Sequence, residues 1–317
     1  MSTHDSETTF AEATTVQALS SHTYQAEFPD DWCIGSVPHG GFVTAVFLQV
    51  ASTHFNTTLL SQNQPHTIGL HLDFLRRTQS GPALFSVRDI KLGRQTSIIG
   101  VTLTQGGREE VTGSLTQSNL NTESGVSLST DYSLHPPPLP VDLKKLSEDS
   151  DENWTRLDEM PFAHFRKATK KTLFHFPREG HQSRSFADEW IRLANGEKWT
   201  NTSLGYVADM FAMPVEAHLS KLNPYDPRNK GEAGDPPARF WYPTVLINLD
   251  VKKALPEEGV EWLFSRTTTK QIKNGRMDLD LVILDEDGEI VALSHHIALA
   301  VGSERNLAKR NTSTSKI

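Results

Sequence analysis

Two short stretches carry groups that could do chemistry. The first is His39-Gly40-Gly41, which opens the apolar run GGFVTAVFLQVA (Gly40–Ala51). A helix starting there presents unpaired N–H groups and the positive end of its dipole. Glycines let a ligand come close to that backbone. Amides aimed at a carbonyl oxygen would stabilise the charge it gains under attack. A plain turn ahead of a buried helix has the same residues. The second is Asp209, set in LGYVADMFAM among apolar neighbours. An ionised carboxylate in such surroundings is costly unless it is paired. This predicts a raised pKa and a functional role. The other reading puts Asp209 on a wet edge of its helix.

Three further groups qualify. In IVALSHHIALAV, alternation puts Val291, Leu293, His295, Ile297, Leu299 and Val301 on one face, and Ala292, Ser294, His296, Ala298 and Ala300 on the other. The small residues beside His296 leave room for a helix or an acyl chain; otherwise His296 is a satisfied core histidine. His295 points the opposite way, so the two cannot readily share a metal. The basic pairs Arg76-Arg77 and Lys252-Lys253 end two matching strands. They suit phosphate groups, and they also suit solvated strand ends. There is no H-E-x-x-H, P-loop or G-x-S-x-G sequence. HGGF resembles the oxyanion turn of α/β-hydrolase lipases, but without the nucleophile elbow that reading falls. No metal and no redox cofactor is expected.

The elements that position these groups come in two copies. TIGLHLDFLRR from Thr67 matches TVLINLDVKKA from Thr244, 177 residues on. GRQTSIIGVTLTQGG from Gly93 matches GRMDLDLVILDEDG from Gly275, 182 residues on. A strand-like run follows in each copy, and a long apolar helix precedes each first strand: Gly40–Ala51 and Thr202–Met213. The strands alternate, with Ile68, Leu70, Leu72 and Phe74 on one face and Val245, Ile247, Leu249 and Val251 on its counterpart. One buried helix followed by antiparallel strands predicts an α+β fold with a sheet wrapped around each helix. Residues 1–118 form the first module and 156–317 the second. A Ser-, Pro- and acid-rich linker covers 119–155. FRKATKKTLFHF and RSFADEWIRLA read as opening strands of the second module. The insertion Asn223–Arg239 reads as a lid or a disordered loop.

Length and composition fit two folded modules. The chain has 317 residues, 37% of them hydrophobic and 22% charged, which argues against disorder. A net charge of −8 argues against a general nucleic-acid binder. No apolar run is long enough for a membrane helix, and MSTHDSETTF lacks the pattern of a secretory signal. The single cysteine, Cys33, excludes a disulfide framework and a cysteine-cluster zinc site, and a reducing intracellular setting is expected. The tail Ser315-Lys316-Ile317 resembles the peroxisomal Ser-Lys-Leu address, so a cytoplasmic or a peroxisomal protein is expected, the latter with an import receptor as partner. A frayed polar tail reads equally well.

These features resemble a known family. FPDDWCIGSVPHGGFVTAVF, the apolar helix with Ala208-Asp209, the YPT strand start at Tyr242–Thr244 and the GR…DxDG…VAL…HH ending are similar to the double-hotdog acyl-CoA thioesterases in their broader thioesterase-like branch. The resemblance implies two tandem hotdog modules, each a long helix wrapped by an antiparallel sheet, and a homo-oligomer. It implies an acyl-CoA or acyl-carrier thioester as substrate, with CoA entering only as part of it. It implies a catalytic set of Asp209, Thr244 and, where the family has Gln, His296. Asp209 would activate water, Thr244 would hold it, His296 would assist, and the amides of Gly40 and Gly41 after His39 would receive the oxyanion. Arg76, Arg77, Lys252 and Lys253 are candidates for the CoA phosphates. The first half keeps the His-Gly-Gly turn but has Leu48 nine residues on; the second keeps Asp209 but has Thr200, Asn201 and Thr202 at the turn. One composite site per chain follows, with an inactive vestige at the related position. Two rivals stand: a hotdog dehydratase, isomerase or cyclase acting on a carrier-bound chain, and a non-catalytic acyl-CoA binder.

Overall fold

Trp32, Phe42, Phe47 and Phe55 are large and mostly apolar, and all are buried, the three phenylalanines on one helix, Gly40–Asn56, and Trp32 stacked on Phe42. That helix is buried without a break from Gly41 to Leu48, as a sequence apolar on every side requires. The computed structural model describes residues 7–212, 214–219, 223–229 and 239–308. The Ser315–Ile317 tail and positions 230–238 of the insertion lie outside the described residues.

A single antiparallel sheet of 14 strands runs through both halves. From its centre outward, the first half runs His66–Phe74, Arg108–Ser118, Ser97–Gln105, Gly81–Lys91 and Thr23–Phe28. The second runs Thr244–Val251, Ile290–Leu299, Arg276–Leu284, Leu263–Thr268 and Phe186–Leu193. The two orders mirror each other. The halves join where His66–Phe74 pairs with Thr244–Val251. His71 faces Asn248 there, and the 2.8 Å contact between Nδ1 and Oδ1 links residues 177 apart. This is the repeat offset, so the pseudo-twofold axis passes through that pair. One hydrophobic core takes side chains from both halves, among them Phe42, Leu72, Tyr206 and Ile247.

Four expectations need correction. The helix of the second half is a single turn, Leu204–Val207, and does not run on through Ala212. Pro214 has no N–H to bond the Met210 carbonyl, and it starts a separate short helix, Pro214–Leu219. Among the described residues only the first module therefore has a long helix. Val245 is exposed although Ile247, Leu249 and Val251 are buried, because a bulge between Thr244 and Leu246 turns it over. FRKATKK is not a strand: turns and a 3-10 turn at Thr169–Lys171 precede the strand Thr172–Pro177. The expected linker is partly structured. Asp142 caps a short helix, Leu143–Ser147, and Leu134, Leu139, Val141 and Leu143 pack on Trp154, Trp190 and Trp262.

Candidate active site

The turn before the long helix is built by its own histidine. His39 Nδ1 accepts from the N–H of Gly41 at 3.1 Å and of Phe42 at 3.4 Å. That assigns the ring proton to Nε2. Burial lowers the His39 pKa, with Arg166 and His296 adding to it and Asp209 opposing.

Asp209 comes to this turn from the other half. The single helical turn Leu204–Val207 crosses the long helix so closely that a Cβ on Gly205 would lie 2.6 Å from Ala45 N. A Cβ on Gly41 would lie 2.6 Å from Tyr206 O and 2.8 Å from the Asp209 Cβ. Backbone meets backbone, and only glycine fits. Asp209 Oδ2 then accepts from Gly41 N–H at 2.8 Å, and Oδ1 accepts from Thr244 Oγ1 at 2.9 Å. His296 Nδ1 stands 3.3 Å from Oδ1 but out of line for a hydrogen bond, and both its ring nitrogens are buried without a partner.

The raised pKa expected for Asp209 is overturned. Burial at 6% exposure does push it up. The nearby His296 and His39 rings and the Thr244 hydroxyl together outweigh that, and the carboxyl lies below its ordinary value. The acid sits at the positive end of a 17-residue helix, which favours its charge.

A cavity of about 400 Å³ opens on this cluster, lined by His39, Gly40, Asp209 and Thr244. The two oxyanion amides are not equivalent. Gly41 N–H is taken by Asp209 and His39, whereas Gly40 N–H has no acceptor among the described residues. Arg76, Arg77 and Arg305 line the same cavity. Arg76 donates to Glu109 O at 2.7 Å and Arg77 to Asn306 O at 3.1 Å. Lys252 and Lys253 are elsewhere, paired with Asp250 and with Asp285 and Glu289. The reason is geometric. The central strands are antiparallel, so the pair ending one lies beside the start of the other, and the two pairs fall at opposite edges.

Cys33 is buried and its thiol is pushed up to about 12 by desolvation, which leaves it no nucleophilic role. His295 is half exposed and contacts Asp280, well separated from the His296 face. Sequence reasoning passed over Arg166, which is 2% exposed and lines the cavity. In FRKATKK nothing distinguishes it from Lys167, Lys170 and Lys171, which pair with Asp30, Glu7 and Asp31.

The position related to Asp209 is Gln49, not Leu48. Gly205 sits on Ala45, and four residues further along the chain lie Gln49, still on the long helix, and Asp209, two residues past the end of its helical turn. Gln49 Oε1 accepts from Thr202 Oγ1 at 3.0 Å. Leu115, which pairs with Leu70, stands where His296 pairs with Ile247.

Known proteins are similar along the whole chain. Residues 28–118 match the pattern of the acyl-CoA thioesterase N-terminal domain, and 137–300 that of the acyl-CoA thioesterase C-terminal domain. The thioesterase-like protein TwmA of Talaromyces wortmannii is 37% identical over 340 residues, 96% of this chain and 95% of that protein. Among solved structures, the acyl-CoA thioesterase II TesB2 from Mycobacterium marinum superposes with a TM-score of 0.61 at 17% identity, covering 92% of this chain and 97% of that one. A hot dog fold protein of unknown function from Alicyclobacillus acidocaldarius gives 0.70 at 15% identity, covering 92% and 98%.

Proposed function

The chain belongs to the acyl-CoA thioesterase family and has its hotdog fold, and we propose that it hydrolyses an acyl thioester, in the first instance an acyl-CoA, to the free acid and the thiol. The observation that carries this reading is the Asp209 carboxylate. It is buried, ionised, fixed at both oxygens and exposed to a cavity at the start of a helix from the other half.

The chemistry follows from those contacts. Asp209 takes a proton from water as the water oxygen bonds to the thioester carbon. Thr244 and Gly41 hold the carboxylate so that a free lone pair faces the cavity. Negative charge grows on the carbonyl oxygen, and Gly40 N–H with the helix dipole is there to receive it. When the tetrahedral species collapses, the carbon–sulfur bond breaks and the thiolate takes the proton from Asp209. No covalent enzyme intermediate is needed. In this reading His296, whose Nδ1 stands 3.3 Å from Asp209 Oδ1 and whose ring nitrogens are buried without a partner, holds the attacking water. Arg76, Arg77 and Arg305, which line the cavity, meet the phosphates of CoA.

The test is a panel of CoA and carrier-protein thioesters followed by free-thiol release, with wild type and Asp209→Asn side by side. Release by wild type, reduced roughly 10²- to 10⁴-fold in the variant, is expected of a lost general base. A proton shuttle along the acyl chain by His296 and Asp209 would instead alter the substrate with its thioester intact. Substrate change without thiol would sink the hydrolytic reading in favour of that one.

A further inference from the structure

We propose that Arg166 binds a carboxylate carried on the acyl group itself, so that the preferred substrates are thioesters of an acid with a second, anionic end. This rests on the thioesterase reading above and adds the substrate class to it. A guanidinium is always charged and carries five donors. Leaving it buried without a partner is among the costlier things a fold can do. Arg166 is 2% exposed, and its Nε and Nη1 are buried with no partner. It makes no ion pair or side-chain hydrogen bond among the described residues. The rings of Phe162 and Tyr225 stand 5.4 and 5.6 Å from the guanidinium carbon, and its charge is felt at His39 and Glu216 without a hydrogen bond to either.

The surroundings fit an anion that arrives with the ligand. Arg166 lines the cavity together with His39 and Asp209. Glu216 feels the charge of Arg166 but accepts from the Tyr242 hydroxyl and makes no ion pair with the guanidinium, and burial outweighs that charge and raises its pKa. The Tyr225 ring lies near the guanidinium, and its buried hydroxyl likewise has no partner. Apolar Ile34, Val37 and Phe165 line the same cavity, so a methylene chain can lie between the thioester and the anionic end. The carrier's phosphates are the other possible source of an anion. They have Arg76, Arg77 and Arg305, and their strong hydration suits a mouth better than a buried site.

The test uses binding, so that it does not depend on turnover. Four non-hydrolysable thioethers are titrated by calorimetry: the octanoyl and suberyl analogues, each on CoA and on pantetheine lacking the nucleotide phosphates. The suberyl forms are expected to bind at least about tenfold tighter than the octanoyl forms on both carriers, the usual scale of a charge-assisted bond. Arg166→Met should erase that difference, weakening the suberyl forms on both carriers by more than the octanoyl forms. Arg166→Lys should keep part of it, and thermal unfolding of both variants checks the fold. Equal binding of the two acyl groups by wild type overturns the proposal. So does a loss in Arg166→Met confined to the CoA ligands, which would make the phosphates the anion read. So does an equal loss on all four, which would make Arg166 a structural residue. Thiol release from octanoyl- and suberyl-CoA is measured in parallel. Selective binding without release would keep this inference and sink the thioesterase reading, and release without selectivity would do the reverse.

Discussion

At the scale of single residues, the site turns on how a carboxylate is kept ionised in an apolar wall. Sequence alone placed Asp209 there correctly but got its electrostatics backwards. Its apolar helical neighbours were visible, whereas Gly41 N–H, Thr244 and the two imidazoles come from other elements. The sign matters for pH. A base with a lowered pKa stays ionised until pH falls through that value, so kcat/KM should hold through weakly acidic pH and drop only below the ordinary carboxylate range near 4. A limb in the imidazole range that survives His296→Gln would refute this. The same linkage makes Asp209 ionisation a stabilising term, present above the unfolded pKa and lost as acid takes the pH below the folded one. The family resemblance implies a Gln at the position of His296. His296→Gln is expected to keep thiol release within about tenfold, since an amide can also hold water, while His296→Leu should lose about 10²-fold or more. Equal rates for the two variants, compared under saturating substrate, would remove His296 from the mechanism.

At the scale of elements, the deciding fact is how closely two helices cross. The long helix was legible from its unbroken apolar run and from the His-Gly-Gly start. Its partner was not, because Thr202–Met213 is apolar enough for a long helix, and only the placement of Pro214 hinted at an early end. Nor could the sequence say why Gly205 is a glycine. A methyl there would meet Ala45 backbone atoms at 2.6 and 2.8 Å, neither of which can swing away. Gly205→Ala should therefore lower unfolding free energy by roughly 1–3 kcal/mol, the range for overpacked sites, and separate Asp209 from Gly41. Gly125→Ala, with nothing within 4 Å, should leave stability unchanged. Urea denaturation of both settles the comparison, and a neutral Gly205→Ala would mean that the crossing is looser than the atoms suggest.

At the scale of the whole molecule, duplication explains both what was readable and what was not. The 177-residue offset was plain in the sequence, and it reappears as the His71–Asn248 pair on the axis. It also misled: the matched basic pairs looked like one site, yet a twofold sends matched ends to opposite edges, and Lys252 and Lys253 face their own acids there. The two edges therefore carry different groups. At one edge Asp209 meets Gly41 and His296. At the other Gln49 meets Thr202, and Leu115 stands where His296 would be. An acid alone should not revive the second edge, since it would lack both the glycine amide and the imidazole. The double variant Asp209→Asn, Gln49→Asp is therefore expected to release thiol no faster than Asp209→Asn by itself. Recovery of even a few per cent of wild-type turnover would show that the two edges act independently, and that the division of the site between the halves is not what confines catalysis to one of them.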